Sequence, residues 1–356
     1  MLKNNRGIAL LLTVTITTLS IAVCLELNRQ VRSAVVATAY TRDQVTLTQM
    51  TAAGINAAMA MLVHDKEIST IDSIQEDWAN PEKIDELLKG IPFEDGNISL
   101  RIKDELMRIQ VNALVTGEGG RQFNEPQRLM WERLLEWYKT RYETLNEIDP
   151  PTIINSLKDW IDSGDDDAIT GLSGAESEYY QDLAPPYSSR NGPIKHPGEL
   201  TRIKGITPEL LYGDKGRSGL IEHITVYGIQ PSADSDNIRW LGKININTAE
   251  LPVLIALLPY GADDLAQAMV DFRNEKDGDS YSHDLSSPTW YRNVPGLGDI
   301  EIDPALITLS SDIFRIVASA TLNDMKMKVT AVVLRTQHKE TGKWICRVLS
   351  WESESE

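Results

Sequence analysis

A formal net charge of −17 on 356 residues excludes nucleic acid as a favoured partner, because an acidic surface repels a phosphate backbone and attracts cations instead. Hydrophobic residues make up 42% of the chain, which is enough for the cores of two or three domains. The two cysteines are Cys24, inside an apolar run, and Cys346, near the C-terminus, so we expect no intramolecular disulfide.

The chain begins with a short basic segment that is followed by an apolar run. Lys3 and Arg6 precede Gly7, and the run Ile8–Cys24 carries no charge. Its length lies between the apolar region of a secretory signal and a full membrane span. In either case the two cations keep the N-terminus in the cytoplasm, so we expect the bulk of the chain outside it.

Three interpretations of this start are open. A secretory signal would need a cleavage site such as Ala37–Ala39, which lies well beyond the apolar run. A plain signal anchor would stay uncut. A type IV prepilin-like leader would be cut between Gly7 and Ile8, and the segment Arg6-Gly7-Ile8-Ala9 fits this pattern best. Ile8 would then be the mature N-terminus.

The apolar run continues into a segment with helical periodicity. From Glu26 to about His64 the chain lacks proline, contains one glycine, Gly54, and repeats apolar residues at helical spacing. We therefore predict one long helix, with residues 8–27 in the bilayer and the remainder packed on a domain outside it. A short helix is predicted at Pro81–Lys89.

Two groups of predicted strands bracket about 200 mostly helical residues. The first pair is joined at Asp104-Glu105, and a three-stranded meander with a turn at Glu340–Lys343 completes the chain before a frayed tail at 352–356. The predicted strands are Asn97–Lys103, Leu106–Asn112, Phe314–Ala320, Met327–Gln337 and Trp344–Trp351. Since two strands are not stable alone, we expect the first group to pair with the last, in an α+β fold with a large helical insertion.

Within this block the periodicity predicts several helices, and Thr248 is a candidate N-cap for one of them. The predicted helices are Pro126–Leu145, Pro151–Ile161, two short ones within Glu199–Tyr212, one after Thr248, and Ala262–Asn274. Trp131, Trp137 and Trp160 stand at positions expected in the core rather than at a ligand platform. Ile221–Val226 is expected to be extended.

An acidic, glycine-containing loop is the best candidate site. Asp162 and Asp165–Asp167 lie within six residues, and Glu176 and Glu178 follow. Hard oxygen ligands at this density suit Ca²⁺, although the spacing is not that of an EF-hand. The alternative is a solvated acidic loop, and we favour the metal because so long a loop within a helical block needs something to order it.

Other candidate sites are weaker. Asn245–Arg273 resembles the helix-hairpin-helix units of DNA-uptake receptors, but its hairpin, Pro259–Asp264, lacks one glycine and carries two carboxylates where phosphate would bind. A structural or protein-binding role is therefore favoured. The five histidines are scattered and form no catalytic motif, so we expect surface or capping histidines and no enzyme. They are His64, His196, His223, His283 and His338.

Four stretches, taken together and in order, resemble the K family of minor pseudopilins of the type II (general) secretion pathway. They are the leader Arg6–Leu11, the segment Asp159–Asp162 with the acidic loop and Gly174–Tyr180, the segment Pro185–Glu209, and Ile244–Ala249. Most pilins carry a glutamate five residues into the mature chain, and this family lacks it. Here that position is Leu12.

The resemblance implies a pilin-like fold, in which a long N-terminal helix packs on a small antiparallel sheet, with a helical insertion of two SAM-like units. It implies calcium in the helical part, which we carry onto Asp162, Asp165, Asp167, Glu176 and Glu178. It also implies cleavage at Gly7–Ile8 by the prepilin peptidase, methylation of the new N-terminus, and a single-pass anchor in the bacterial inner membrane. The expected partners are the minor pseudopilins I and J in a tip complex and the major pseudopilin, with no nucleic acid.

The expected division of the chain follows from this fold. Residues 1–7 are the leader, 8–27 the membrane segment, 28–116 and 306–356 the pseudopilin domain, and 117–305 the insertion, with SAM-like units at about 117–215 and 243–275. The expected function is assembly of the pseudopilus tip for export of folded proteins across the outer membrane. Two alternatives are a membrane-anchored helix-hairpin-helix protein of DNA uptake and a signal-anchored calcium-binding protein with no filament role.

Overall fold

The computed structural model describes residues 6–91, 93, 95–164, 169–214, 216–230 and 239–355. Within these ranges the helices are α1 (Arg6–Ile68), α2 (Pro81–Lys89), α3 (Glu125–Arg141), α4 (Pro150–Ile161), α5 (Ser177–Gln181), α6 (Pro208–Tyr212), α7 (Leu251–Leu257) and α8 (Leu265–Asn274). The 3-10 turns are Asp77–Ala79, Glu105–Met107, Val111–Leu114, Glu118–Gly120, Glu143–Leu145, Pro197–Arg202, Leu220–Glu222 and Trp290–Asn293.

Four strands are long and the others are two-residue ladders. The long strands are β1 (Asn97–Asp104), β12 (Ile313–Leu322), β13 (Met325–Gln337) and β14 (Trp344–Ser355). The short ones are β2 (Ile109–Gln110), β3 (Val115–Thr116), β4 (Gln122–Phe123), β5 (Ile224–Thr225), β6 (Ile229–Gln230), β7 (Arg239–Trp240), β8 (Ile244–Asn245), β9 (Lys276–Asp277), β10 (Ser280–Tyr281) and β11 (Ile307–Thr308).

The long N-terminal helix is confirmed as one continuous element. Helix α1 has 63 residues, which corresponds to a length of roughly 95 Å. Its residues 7–42 are exposed, and from Asp43 onward one face is buried. The apolar N-terminal part is long enough to cross a membrane by length and composition. The buried face of the second part includes Leu47, Met50, Ile55, Ala58 and Leu62, at the spacing of one helix face.

Gly54 lies where α1 packs closely against the sheet. A Cβ atom at this position would lie 2.7 Å from Cδ1 of Ile98 on β1. A glycine inside a helix costs roughly 1 kcal/mol relative to alanine. Its presence is explained by the close packing that it permits between the helix and the strand.

The four long strands form one antiparallel sheet in the order β1-β12-β13-β14. Asn97 pairs with Thr321 and Asp104 with Phe314, so the first strand joins the C-terminal meander across residues 105–312. The predicted pairing with the C-terminal strands is confirmed for β1, the first strand of its group. Helix α1 covers one face of this sheet and forms the first core with it. This core contains Leu47, Met50, Ile55, Trp78, Ile102, Phe314, Ile316, Val329 and Val333.

The intervening residues build a second and larger core. It is formed mainly by α3, α4, α7 and the segments between them. The predicted helices of this block are confirmed in position, except that the first short one within Glu199–Tyr212 is the 3-10 turn Pro197–Arg202. Trp131 and Trp160 lie inside it as predicted, and Trp137 packs against it. Other members are Met130, Leu134, Leu157, Leu200, Leu210, Val253, Leu254 and Trp290.

Two strand predictions were wrong. The segment Leu106–Asn112 is not a β-strand but two 3-10 turns flanking the short β2, which pairs in parallel with β5. The carboxylate of Asp104 accepts a hydrogen bond from Leu106 N at 2.7 Å and so ends β1. The alternation was misleading because residues 107–115 are all buried. The tail at 352–355 is paired with β13 rather than frayed, and Glu354 contacts Lys328 at 3.1 Å.

Two polar predictions also need correction. Thr248 does not cap α7, whose N-cap is Glu250, because its hydroxyl donates to Asp104 Oδ2 at 2.7 Å. His223 is buried beside Tyr138 rather than at the surface. His196 does cap a turn: it accepts a hydrogen bond from Gly198 N, as expected for a capping histidine.

A buried polar network joins the two cores. Asn245 on β8 donates to Asp104 Oδ2 at 2.7 Å and to the carbonyl oxygen of Asp72 at 2.9 Å. The Asp72 carboxylate in turn accepts from Ser311 N and from Arg335 on β13. Burial raises the pKa of Asp104 and raises that of Asp72 to about 7. These contacts connect the inserted residues to the sheet and to the end of α1.

Candidate metal centre

The candidate site lies where helix α4 ends and the chain turns back toward α5. Pro150 and Pro151 begin α4, where the missing N–H of proline is tolerated. Asp159 lies in the last turn of this helix, and Asp162 is its C-cap. Glu176 is the N-cap residue of α5. Two helix ends therefore bring three acidic residues to one place.

The three carboxylates converge. One oxygen from each of Asp159, Asp162 and Glu176 lies within 4.8 Å of the other two. All three residues are buried, with 0%, 2% and 7% of their surfaces exposed. Burying three carboxylates together is unfavourable unless cations or hydrogen bonds compensate their charge.

Asp159 organises the turn that precedes Glu176. Its carboxylate accepts hydrogen bonds from Thr170 N at 3.1 Å and from Ala175 N at 2.8 Å. A Cβ atom on Gly174 would lie 2.1 Å from Asp159 Oδ2, so only glycine allows this approach. Asp159 thus ties residues 170–175 to the end of α4.

The two carboxylate oxygens of Asp162 differ in their contacts. Its Oδ2 accepts from Lys158 Nζ at 2.8 Å, and the same ammonium group donates to Thr170 Oγ1 at 3.0 Å. Its Oδ1 is buried and accepts no hydrogen bond of ordinary geometry among the described residues. Burial raises the pKa of Asp162, and the contact with Lys158 and the Gly164 backbone near this carboxylate oppose this shift.

The donor set fits a hard divalent cation. Carboxylate oxygens are the ligands that Ca²⁺ prefers, and a buried oxygen that accepts no hydrogen bond of ordinary geometry among the described residues is available to coordinate an ion. The fit rests on three converging carboxylates and on this oxygen, not on the length of the acidic loop.

The structure brings together two of the five predicted ligands, Asp162 and Glu176. Asp165 and Asp167 lie outside the described residues. Glu178 is exposed in the first turn of α5 and is not part of the convergent group. Asp159 was missed as a ligand, although its spacing of three from Asp162 on a helix places both on one face.

A second acidic group is neutralised differently. Asp65, Asp72 and Glu76 also converge, but the buried guanidinium of Arg335 contacts both aspartates. Trp78 Nε1 and Ser73 N donate to Glu76. This group is therefore a structural ion network at the end of α1, and not a second candidate for a metal.

The hairpin that resembles a DNA-binding unit is acidic at its tip. Asp263 and Asp264 are exposed between α7 and α8, and Asp264 is the N-cap residue of α8. Carboxylates at a helix N-terminus occupy the place where a phosphate would have to approach. The geometry thus supports a structural or protein-contacting role for this pair of helices.

The N-terminal start of α1 carries the predicted processing residues. Gly7 and Ile8 are exposed in the first turns of the helix. A Cβ atom on Gly7 would meet no heavy atom within 4 Å in the described part of the chain. Packing within the described structure therefore does not explain this glycine.

One family model and two relatives that the chain resembles share the description type II secretion system protein K. The sequence model of the type II secretion system (T2SS) protein K family matches residues 107–212, which include the three converging carboxylates. The type II secretion system protein K of Aeromonas hydrophila is 22% identical over 288 residues, or 77% of this chain and 76% of the relative. A putative type II secretion system protein K of Escherichia coli K12 is 25% identical over 212 residues, or 58% of this chain and 60% of the relative.

A solved structure shares the fold. A chain in the crystal structure of the GspK-GspI-GspJ complex from the type 2 secretion system of enterotoxigenic Escherichia coli superposes with a TM-score of 0.59. The match covers 88% of this chain and 99% of that chain, at 16% sequence identity. The mixed architecture of a long N-terminal helix and a sheet is therefore shared at low sequence identity.

Proposed function

We propose that the chain is a member of the type II secretion system protein K family and the minor pseudopilin at the tip of a secretion pseudopilus. Its role there is structural and not enzymatic. The observation that carries the tip position is the large second core between β1 and β12, on a pilin-like helix and sheet. Such a block obstructs the addition of another subunit above it, so the subunit initiates or caps the filament.

The division of the chain supports this role. In the proposal, 28–116 and 306–356 form the pseudopilin domain, and 117–305 the insertion, with SAM-like units at about 117–215 and 243–275. The related structure is described as a complex of GspK with GspI and GspJ. We take the minor pseudopilins I and J as the partners of this chain, with the major pseudopilin below them.

Membrane anchoring follows from α1. Its threonine hydroxyls in the apolar part donate to backbone carbonyls one turn earlier, for example Thr13 to Leu10 O and Thr17 to Thr13 O. These side chains therefore place no unsatisfied donor in lipid. The proposed orientation has the N-terminus in the cytoplasm and the bulk of the chain in the periplasm, with cleavage between Gly7 and Ile8.

The side chain at Leu12 is consistent with an end position. It is exposed on α1 and carries no charge where other pilins have a carboxylate. A carboxylate in lipid needs a partner such as the N-terminal amine of a neighbouring subunit. A subunit without it cannot satisfy the amine of a subunit packed above it.

We further propose that the centre at Asp159, Asp162 and Glu176 binds Ca²⁺, with Asp165 and Asp167 as predicted additional ligands. When bound, the ion supplies positive charge that joins the end of α4 to the start of α5. The residues of this chain provide the buried carboxylate oxygens and the turn that Asp159 holds. The metal is thus structural, and it stabilises the insertion.

The tip position is tested by labelling filaments. Pseudopili assembled in cells that carry an epitope-tagged full-length chain should bear label at one end only, and overexpression of the chain should give shorter filaments. Label along the filament sides would refute the tip role. N-terminal sequencing of the membrane form tests processing independently: a start at Ile8 supports the prepilin leader, and a start near Tyr40 contradicts it.

A further inference from the structure

Lys158 contacts the candidate metal centre directly. Its ammonium group lies 2.8 Å from Asp162 Oδ2 and 3.0 Å from Thr170 Oγ1. The side chain of Lys158 is 12% exposed and that of Asp162 is 3% exposed, so water screens this contact poorly. Lys158 is thus a largely buried cation in direct contact with the three-carboxylate group.

The position of the pair on the helix makes this contact more than an ordinary surface ion pair. Asp162 caps the C-terminus of α4, where the helix dipole disfavours a negative charge. Asp159 and Glu176 add two further carboxylates within 4.8 Å. Without a metal ion, Lys158 therefore compensates the charge of Asp162 within this concentration of negative charge.

The same contact must compete with a metal ion. A cation coordinated by Asp162 Oδ1 would bind the same carboxylate whose Oδ2 the ammonium group now contacts, and the two positive charges would repel each other at this distance. Thr170 Oγ1 and the ring of Phe123, 5.9 Å from Nζ, offer the ammonium alternative contacts when Asp162 is taken. Binding the ion and retaining the Lys158–Asp162 contact are thus opposed.

We propose that Lys158 is the internal counter-ion of the metal centre: it holds Asp162 in the metal-free protein and is displaced when a divalent cation binds. This inference rests on the proposed calcium site and adds the residue that regulates it. Lys158 stabilises the metal-free state and by the same contact weakens the affinity for the ion. One substitution should therefore move these two properties in opposite directions.

The test compares Lys158→Met with wild type in the full-length protein in detergent. Methionine keeps the unbranched stem and removes the charge. In chelator the variant should melt at a lower temperature than wild type. In a titration with calcium chloride it should bind about tenfold or more tightly, because a charge-assisted hydrogen bond of this kind no longer competes. Lys158→Arg should stay close to wild type in affinity.

A matched control separates this contact from net charge. Lys195→Met removes one positive charge from an exposed side chain of the same insertion and should change neither property. Equal or weaker calcium affinity in Lys158→Met would overturn the counter-ion role while leaving the metal site intact. Absence of calcium binding in wild type would overturn the site itself, and this inference with it.

Discussion

Replacing Arg335 by methionine should destabilise the protein strongly at pH 8 and only weakly at pH 5. The guanidinium is completely buried on β13. It donates to the carbonyl oxygen of Leu62 at 3.0 Å, to Asp65 at 3.2 Å, to Ser311 O at 2.7 Å, and to Asp72. Methionine retains an apolar stem but removes the charge that holds the end of α1 against the sheet.

The magnitude follows from what the substitution leaves behind. Removing one partner of a buried ion pair costs about 3–5 kcal/mol, because the other charge stays buried without compensation. For a domain of 150–250 residues each kcal/mol lowers the melting temperature by about 2–4 °C. We therefore expect a fall of roughly 6 °C or more at pH 8.

The pH dependence follows from the two carboxyl groups. Burial raises the pKa of Asp65 to about 6 and that of Asp72 to about 7, whereas aspartate in an unfolded chain titrates near 3.9. At pH values between the unfolded and the folded pKa, the folded state binds more protons than the unfolded state. The stability that the protonated carboxyl groups contribute is therefore present in acid and is lost as the pH rises through 6–7. At pH 5 both groups are largely neutral, and Arg335 has little charge to compensate.

The assay is thermal unfolding of the full-length protein in detergent at pH 5 and pH 8. Arg347→Met is the matched control, because Arg347 is exposed on the neighbouring strand β14 and should change stability by less than about 0.5 kcal/mol. Equal losses of melting temperature at the two pH values in Arg335→Met would refute the role assigned to the two aspartates.

Two further predictions test the packing of α1 and the metal centre. Gly54→Leu should destabilise the protein by about 1–3 kcal/mol, because the leucine side chain would collide with Ile98. Ala60→Leu, on an exposed face of the same helix, should have little effect in the same melting experiment. Asp162→Asn should abolish most of the calcium-dependent rise in melting temperature, while Glu178→Gln, at an exposed position outside the carboxylate group, should keep it. A full calcium response in Asp162→Asn would contradict the ligand assignment.

Two of the predicted ligands, Asp162 and Glu176, lie in the candidate site, whereas its third member, Asp159, was not predicted. The sequence identified the acidic segment from Asp162 onward, because the density of carboxylates is visible there. It did not identify Asp159, since this residue stands in a helix and its carboxylate reaches the site only when residues 170–175 fold back onto α4.

The sequence by itself determined the elements whose signals are local. The long helix, the short helix at Pro81–Lys89, the helices of the insertion and the C-terminal meander all follow from periodicity and turn residues, which act within a few positions along the chain. The predictions of a membrane anchor and of a leader rest on local signals too, because charge and hydropathy are read directly along the chain.

Only the tertiary structure decided the contacts between distant segments. The alternation at Leu106–Asn112 predicted a strand. In the structure this segment forms short 3-10 turns, because both faces of it are buried and the Asp104 carboxylate accepts a hydrogen bond from Leu106 N. Arg335 reaches Leu62, which is 273 positions away, and Asn245 reaches both Asp72 and Asp104. Such contacts depend on how the two cores pack against each other. No local pattern encodes them, because each partner forms these hydrogen bonds only after the chain has folded.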